Sequence, residues 1–111
     1  MSEIGLRRKR ALERWRDYAA LICSIVKRRL PDAKVIAFGS VVRGDWTPDS
    51  DLDLLVVSDG VPQDAWGRAS LSLELKEALG ELGSLLEVHY ATWDEYLGWY
   101  KRFIDVEEPL C

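Results

Sequence analysis

Ala37-Phe38-Gly39-Ser40-Val41-Val42-Arg43-Gly44 and, after a polar excursion from Asp45 to Asp49, Ser50-Asp51-Leu52-Asp53-Leu54-Leu55-Val56-Val57 decide how this chain folds. An apolar strand runs into a Gly-Ser turn, and a second strand opens with two aspartates two residues apart. Side chains at i and i+2 of a strand point to the same face. Asp51 and Asp53 are therefore expected side by side at a strand's beginning, close to a small turn able to hold phosphate. Two acids that repel each other beside an anion site call for a divalent cation. That combination belongs to nucleotide chemistry.

Working outward, Lys34 to Phe38 reads as a short strand, 41–46 as one or two helical turns, Thr47-Pro48-Asp49 as a loop and Asp51 to Val57 as the second strand. Upstream, Ile4, Leu12, Trp15, Ala19, Ile22, Val26 and Leu30 recur at helical spacing, which predicts one long amphipathic helix over 3–30, stopped by Pro31. Downstream, Gln63 to Leu82 reads as a second main helix and Leu85 to Tyr90 as a third strand. On that strand Leu85, Glu87 and His89 share one face, and Leu86, Val88 and Tyr90 the other. Thr92-Trp93-Asp94-Glu95 has the form of a capping box, opening a last helix to about Ile104. Helices alternating with strands imply an α+β fold of two layers, a small mixed β-sheet flanked by helices. With no repeat, linker or low-complexity tract, one domain over residues 1–111 is expected.

Composition narrows the class. At 111 residues and 48% hydrophobic content the chain can bury a modest core. No leader is visible, and the longest apolar stretch, Tyr18 to Val26, falls far short of the ~20 residues of a membrane span. Cys23 and Cys111 suggest neither a disulfide framework nor a metal-ligand spacing. The expectation is a reduced, cytoplasmic, soluble protein with no membrane contact. The net charge of −4 hides an asymmetry: residues 1–30 carry nine Lys/Arg against three Asp/Glu, and residues 31–111 six against sixteen. An acidic body makes general nucleic-acid binding unexpected and suits a site that gathers divalent metal. The basic first segment is either a solvated helix face or a contact for RNA or an acidic partner.

Each candidate has its chemistry. Gly39 lets backbone approach a ligand closely, Ser40 adds a hydroxyl, and Arg43, one turn on, can pair with phosphate oxygens. Asp51 and Asp53 can share Mg²⁺ with substrate phosphates, two ions lying roughly 3.5–4 Å apart. Glu87 is the best third acid. On a face otherwise apolar its charge would be costly without a partner, and metal binding supplies one. An edge strand with Glu87 and His89 facing water is the alternative. His89 is either an acid or base near the site or a surface residue.

Gly39-Ser40-x-x-Arg43-Gly44 followed by Ser50-Asp51-x-Asp53 resembles the signature of the nucleotidyltransferase superfamily whose best-known member is DNA polymerase beta. It is most similar to the small stand-alone minimal nucleotidyltransferase (MNT) proteins, and the likeness runs from the first helix through the third strand. The resemblance implies a polymerase beta-like mixed sheet, Mg²⁺ held by three acids, and transfer of a nucleoside monophosphate from a nucleoside triphosphate with release of pyrophosphate. AMP from ATP is the expected group, and a protein or small hydroxyl compound the acceptor. Carried over, Gly39, Ser40, Arg43 and Ser50 bind the triphosphate, and Asp51, Asp53 and Glu87 hold the metal and are catalytic. The third acid is usually aspartate in the family. Glutamate moves the charge by about one carbon–carbon bond in a chemistry ruled by positioning.

The same resemblance implies a partner. MNT proteins are often paired with a small helical HEPN-type protein as a toxin–antitoxin module, the MNT member neutralising its partner, sometimes by adding AMP to a tyrosine. A nucleotide-binding antitoxin or regulatory subunit acting by contact is thus the alternative to an enzyme. Trp93, Tyr96, Leu97, Trp99, Tyr100, Phe103 and Ile104 make a broad apolar stripe on the last helix, which suggests a homo-oligomer or a docked partner.

Overall fold

In the computed structural model, which describes residues 2–111, β1 (Lys34–Phe38) and β2 (Leu52–Val57) pair antiparallel, with Lys34 opposite Val57 and Phe38 opposite Asp53. β3 (Leu86–Ala91) joins β2 in parallel, which needs the crossover helix α4 (Ala65–Ala78) between them. β4 (Glu107–Pro109) pairs antiparallel with the far side of β1, giving the mixed order β3-β2-β1-β4. A small mixed sheet flanked by helices is the α+β fold expected.

Both sheet faces are covered, so the central strands read as nearly continuous apolar runs. Val35, Ala37, Leu54 and Val56 face a cluster with Leu12, Trp15, Ile22, Val26, Leu71 and Leu75 from the helices. Ile36, Leu55, Val57 and Ala91 face the other way, under Tyr96. Burying one such aliphatic side chain is worth about 1.5–3 kcal/mol.

The expected single helix over 3–30 is two helices. α1 (Glu3–Glu13), capped by the Ser2 hydroxyl accepting from the Gly5 amide at 3.0 Å, ends at Arg14. A 3₁₀ turn at Trp15–Tyr18 leads to α2 (Ala19–Arg29). The helical period continues on both sides, but the halves pack on different neighbours: α1 on the 3₁₀ turn Leu82–Leu85, α2 on α4. α4 starts two residues later than the apolar pattern suggested, because the Asp64 carboxylate accepts from the Gly67 amide at 2.7 Å and caps it there.

α3 is the single turn Ser40–Arg43, closed by Gly44 at φ 91°. The capping box at Thr92 and Glu95 is present and opens α5 (Trp93–Glu95), which continues through a π-helical turn, Tyr96–Tyr100, into α6 (Lys101–Phe103). β4 was not foreseen. Its pairing brings Cys111 beside α2, where a disulfide joins it to Cys23 with Cα atoms 6.2 Å apart. The expectation of unpaired, reduced cysteines is corrected accordingly. No helix among the described residues is long and apolar enough to cross a membrane.

Candidate active site

The β1–α3 turn is shaped around one carboxylate. Gly39 holds φ 85° and ψ −165°, a region open essentially to glycine. A Cβ built there would overlap the Asp53 carboxylate. The Gly-Ser turn and the second aspartate of the Asp-x-Asp pair are therefore in direct apposition, held by the Phe38–Asp53 register of β1 and β2.

Across β2, Asp53 is the Cα partner of Glu87, and Leu55 that of His89. The alternation of β3 puts Glu87 and His89 on Asp53's face, where one ligand atom from each of Asp53, Glu87 and His89 lies within 4.8 Å of the others. His89 Nε2 is 3.6 Å from Asp53 Oδ1 and 3.8 Å from Glu87 Oε1. Its ring leans on Phe38 with centroids 5.4 Å apart. The interaction with the Asp53 carboxylate raises the imidazole pKa against the opposing effect of burial, and the charges of Glu87 and Asp53 add to the rise.

Glu87 does not carry the burial expected of it. β3 is an edge strand, and the Glu87 side chain is 57% exposed against 22% for Asp53. The cost of a buried charge is thus no argument for a metal at Glu87. Two carboxylates on adjacent strands nevertheless converge on one imidazole.

Asp51 lies one residue before β2 and outside the Asp53–Glu87–His89 group. The cation nearest it is Arg8, 4.0 Å away, whose guanidinium also donates to the carbonyls of Pro48 and of Ser50 (3.4 Å to the latter). Arg8 thereby ties α1 to the loop leading into the acids. The Ser50 hydroxyl accepts from the Thr47 amide at 2.9 Å and braces that loop. Arg43 reaches Asp45 at 3.4 Å and Asp105 at 3.9 Å, loose pairs on an exposed surface. Such pairs contribute little and leave the guanidinium free to turn to another anion.

Arg8 was not foreseen as part of the site, since a basic run on a helix gives no signal of which member reaches a distant loop. The sequence leaves His89 between an acid or base near the site and a surface residue. Its membership in the cluster follows from sharing Glu87's face. The donor set fits a divalent cation: two carboxylates on neighbouring strands, with a third one step away at Asp51.

The sequence profile of a family described as a nucleotidyltransferase domain matches residues 21–108, most of the chain. No curated protein sequence matches significantly. Among solved structures, a "putative nucleotidyltransferase" from Sulfolobus solfataricus superposes with a TM-score of 0.57 at 19% identity, covering 98% of this chain and 87% of that one. At that identity the likeness speaks to the fold.

Proposed function

This chain belongs to the nucleotidyltransferase domain family, and from that membership we propose that it transfers a nucleoside monophosphate, AMP from ATP, to a hydroxyl acceptor at the Asp53–Glu87 pair. The observation that supports this most is the apposition of Gly39 to Asp53 together with the register of Asp53 and Glu87. Two adjoining strand pairs, β1–β2 and β2–β3, thereby bring the Gly-Ser turn and two carboxylates together.

Asp53 and Glu87, with Asp51 adjoining, would hold Mg²⁺, which when bound neutralises phosphate charge. The chain's own residues do the rest. Gly39 keeps the turn free of side chain, Ser40 offers its hydroxyl, and Arg43 swings from its loose carboxylate contacts to the triphosphate. The acceptor oxygen bonds to the α-phosphorus as the bond to the β-phosphate oxygen breaks, and pyrophosphate leaves. Glu87, the more exposed acid, faces the side from which an acceptor comes, and its carboxylate takes the hydroxyl proton. His89 Nε2 holds the two carboxylates in register.

Incubation with α-labelled ATP, Mg²⁺ and a panel of protein and small hydroxyl acceptors tests the proposal. Label should move to an acceptor with the wild type and not with Asp53→Asn or Glu87→Gln. Transfer surviving Asp53→Asn would refute it.

A second reading is regulation by contact. Leu97, Trp99 and Phe103 on the last helix are 58%, 62% and 64% exposed, and the Trp99 and Phe103 rings meet at a tilt with centroids 4.8 Å apart. Such a patch suits a second copy or a helical HEPN-type partner. Neutralisation of a partner that survives both carboxylate substitutions, without label transfer, would favour this reading over the enzyme.

A further inference from the structure

β4 is the shortest strand of the sheet, and it lies beside the stretch of β1 that delivers Gly39. Its register sets Pro109, Glu108 and Glu107 opposite Ile36, Ala37 and Phe38, the three residues before Gly39. The Leu110 amide donates to the Val35 carbonyl at 2.8 Å. Bonded and non-bonded pairs alternate along an antiparallel ladder, so Ala37 and Glu108 form the next bonded pair. Ala37 therefore gives its amide to β4, whereas Ile36 and Phe38 on either side give theirs to β2. Pro109 falls in the non-bonded position opposite Ile36, where its missing N–H costs β1 nothing.

Glutamate and proline are poor strand formers, so β4 depends on its anchors. Arg16 meets the two Glu108 carboxylate oxygens at 2.8 Å each, but both side chains touch solvent, where such pairs contribute little. Leu110 is only partly buried against the core. The Tyr96 hydroxyl donates to the Glu107 carboxylate, 2.7 and 2.9 Å from its two oxygens, at the end of β4 away from Cys111. At the other end the covalent anchor is the disulfide from Cys111 to Cys23 in α2. Cys23 is buried and Cys111 exposed. Exposed bridges are the labile, regulatory ones.

We propose that the Cys23–Cys111 bridge is a redox switch on β4. Oxidised, it keeps β4 docked on β1. Reduced, it lets β4 peel away from the Cys111 end and frees the Ala37 backbone that leads into the Gly39 turn. The reductant is a dithiol. One of its thiolates attacks the Cys111 sulfur, the Cys23–Cys111 bond breaks, and the Cys23 sulfur leaves with the bonding pair and takes a proton. The second thiolate attacks the resulting mixed disulfide, and the Cys111 sulfur leaves and takes a proton in turn. The dithiol is oxidised to a disulfide, its two protons and two electrons now on the cysteines, and a small disulfide reverses the sequence.

The element with two arrangements is β4, docked or peeled. With Glu107 still held by Tyr96, Leu110 and Glu108 leave first. β1 then becomes an edge strand at Ala37, two residues before the glycine packed on Asp53. Only the consequence for triphosphate binding rests on the proposed function.

Residue-resolved native-state amide exchange, on the oxidised protein and on the same protein under dithiothreitol, tests the switch. In the oxidised form Ala37 should be protected to within about tenfold of Ile36. After reduction it should exchange at least about tenfold faster than Ile36, because local opening reaches only the amide bonded to β4. Cys111→Ser should show the reduced pattern with or without dithiothreitol. Equal loss of protection at Ala37 and Ile36 would mean that the bridge acts on the whole fold alone, and would overturn the proposal. So would full protection of Ala37 in the reduced protein. Where β4 is undocked in about nine molecules of ten, ATP should bind about tenfold more weakly to the reduced protein. Equal ATP affinity in the two forms would overturn the switch's reach to the Gly39 turn. Failure of both forms to bind ATP would refute the proposed function instead, and the exchange at Ala37 would then decide the switch by itself.

Discussion

His89 Nε2 stands 3.6 Å from Asp53 Oδ1, one strand over, so a single imidazole answers the carboxylate against which the Gly-Ser turn is packed. The folded-state pKa of His89 is raised by that interaction. A group with a raised folded pKa adds stability that is fully present below its unfolded pKa, about 6.5, and is lost as pH climbs through the folded value. His89→Gln should therefore cost more stability at about pH 6 than at about pH 9. Urea unfolding with chelator present checks this, and an equal cost at both pH values would contradict it.

Gly39→Ala attacks the same apposition from the other side. Alanine at φ 85° is strained, and its methyl meets the Asp53 carboxylate. Strain of this kind costs about 1–3 kcal/mol. Chemical denaturation should show that loss, and isothermal titration should show weaker divalent binding as Asp53 is displaced. Gly44→Ala shares the positive φ of 91° but has open space around it. It should lose stability without changing divalent binding.

The Cys23–Cys111 bridge ties the end of the chain to α2 across a separation of 88 residues. Cross-links of such reach stabilise mainly by restricting the unfolded chain, typically by about 2–4 kcal/mol. Cys111→Ser should lower unfolding free energy by that amount and should abolish the response of the melting temperature to reductant. A variant that melts like the oxidised wild type would show that the bridge adds nothing.

Much of this architecture was legible in the residues. Lys34–Phe38 was bounded correctly because Pro31 and Gly39 punctuate it, and the capping box at Thr92 and Glu95 reported its own geometry. What stayed hidden depended on tertiary pairing. β4 contains Glu107, Glu108 and Pro109, poor strand formers that become a strand only as an edge beside β1. The Cys23–Cys111 bridge was invisible for the same reason, since β4 delivers Cys111. The break at Arg14–Tyr18 was masked by an apolar period that holds on both sides.

The site divides in the same way. The period of two placed Glu87 and His89 on one face, but only the parallel register after the α4 crossover sets Glu87 opposite Asp53. The exposure of Glu87 follows from strand order, which alternation along one strand cannot reveal. Asp51 and Asp53 sit two residues apart in sequence, yet only Asp53 joins Glu87 and His89, because β2 begins after Asp51.

The proposed transfer requires a divalent ion and a triphosphate to meet at Asp53 and Glu87. Calorimetric titration of ATP into the wild type should show binding with Mg²⁺ that weakens at least about 10-fold when the ion is chelated, or in Asp53→Asn or Glu87→Gln, since even partners one layer out from a metal cost 10–100-fold. ATP binding of equal strength in the chelated protein and in both variants would contradict it.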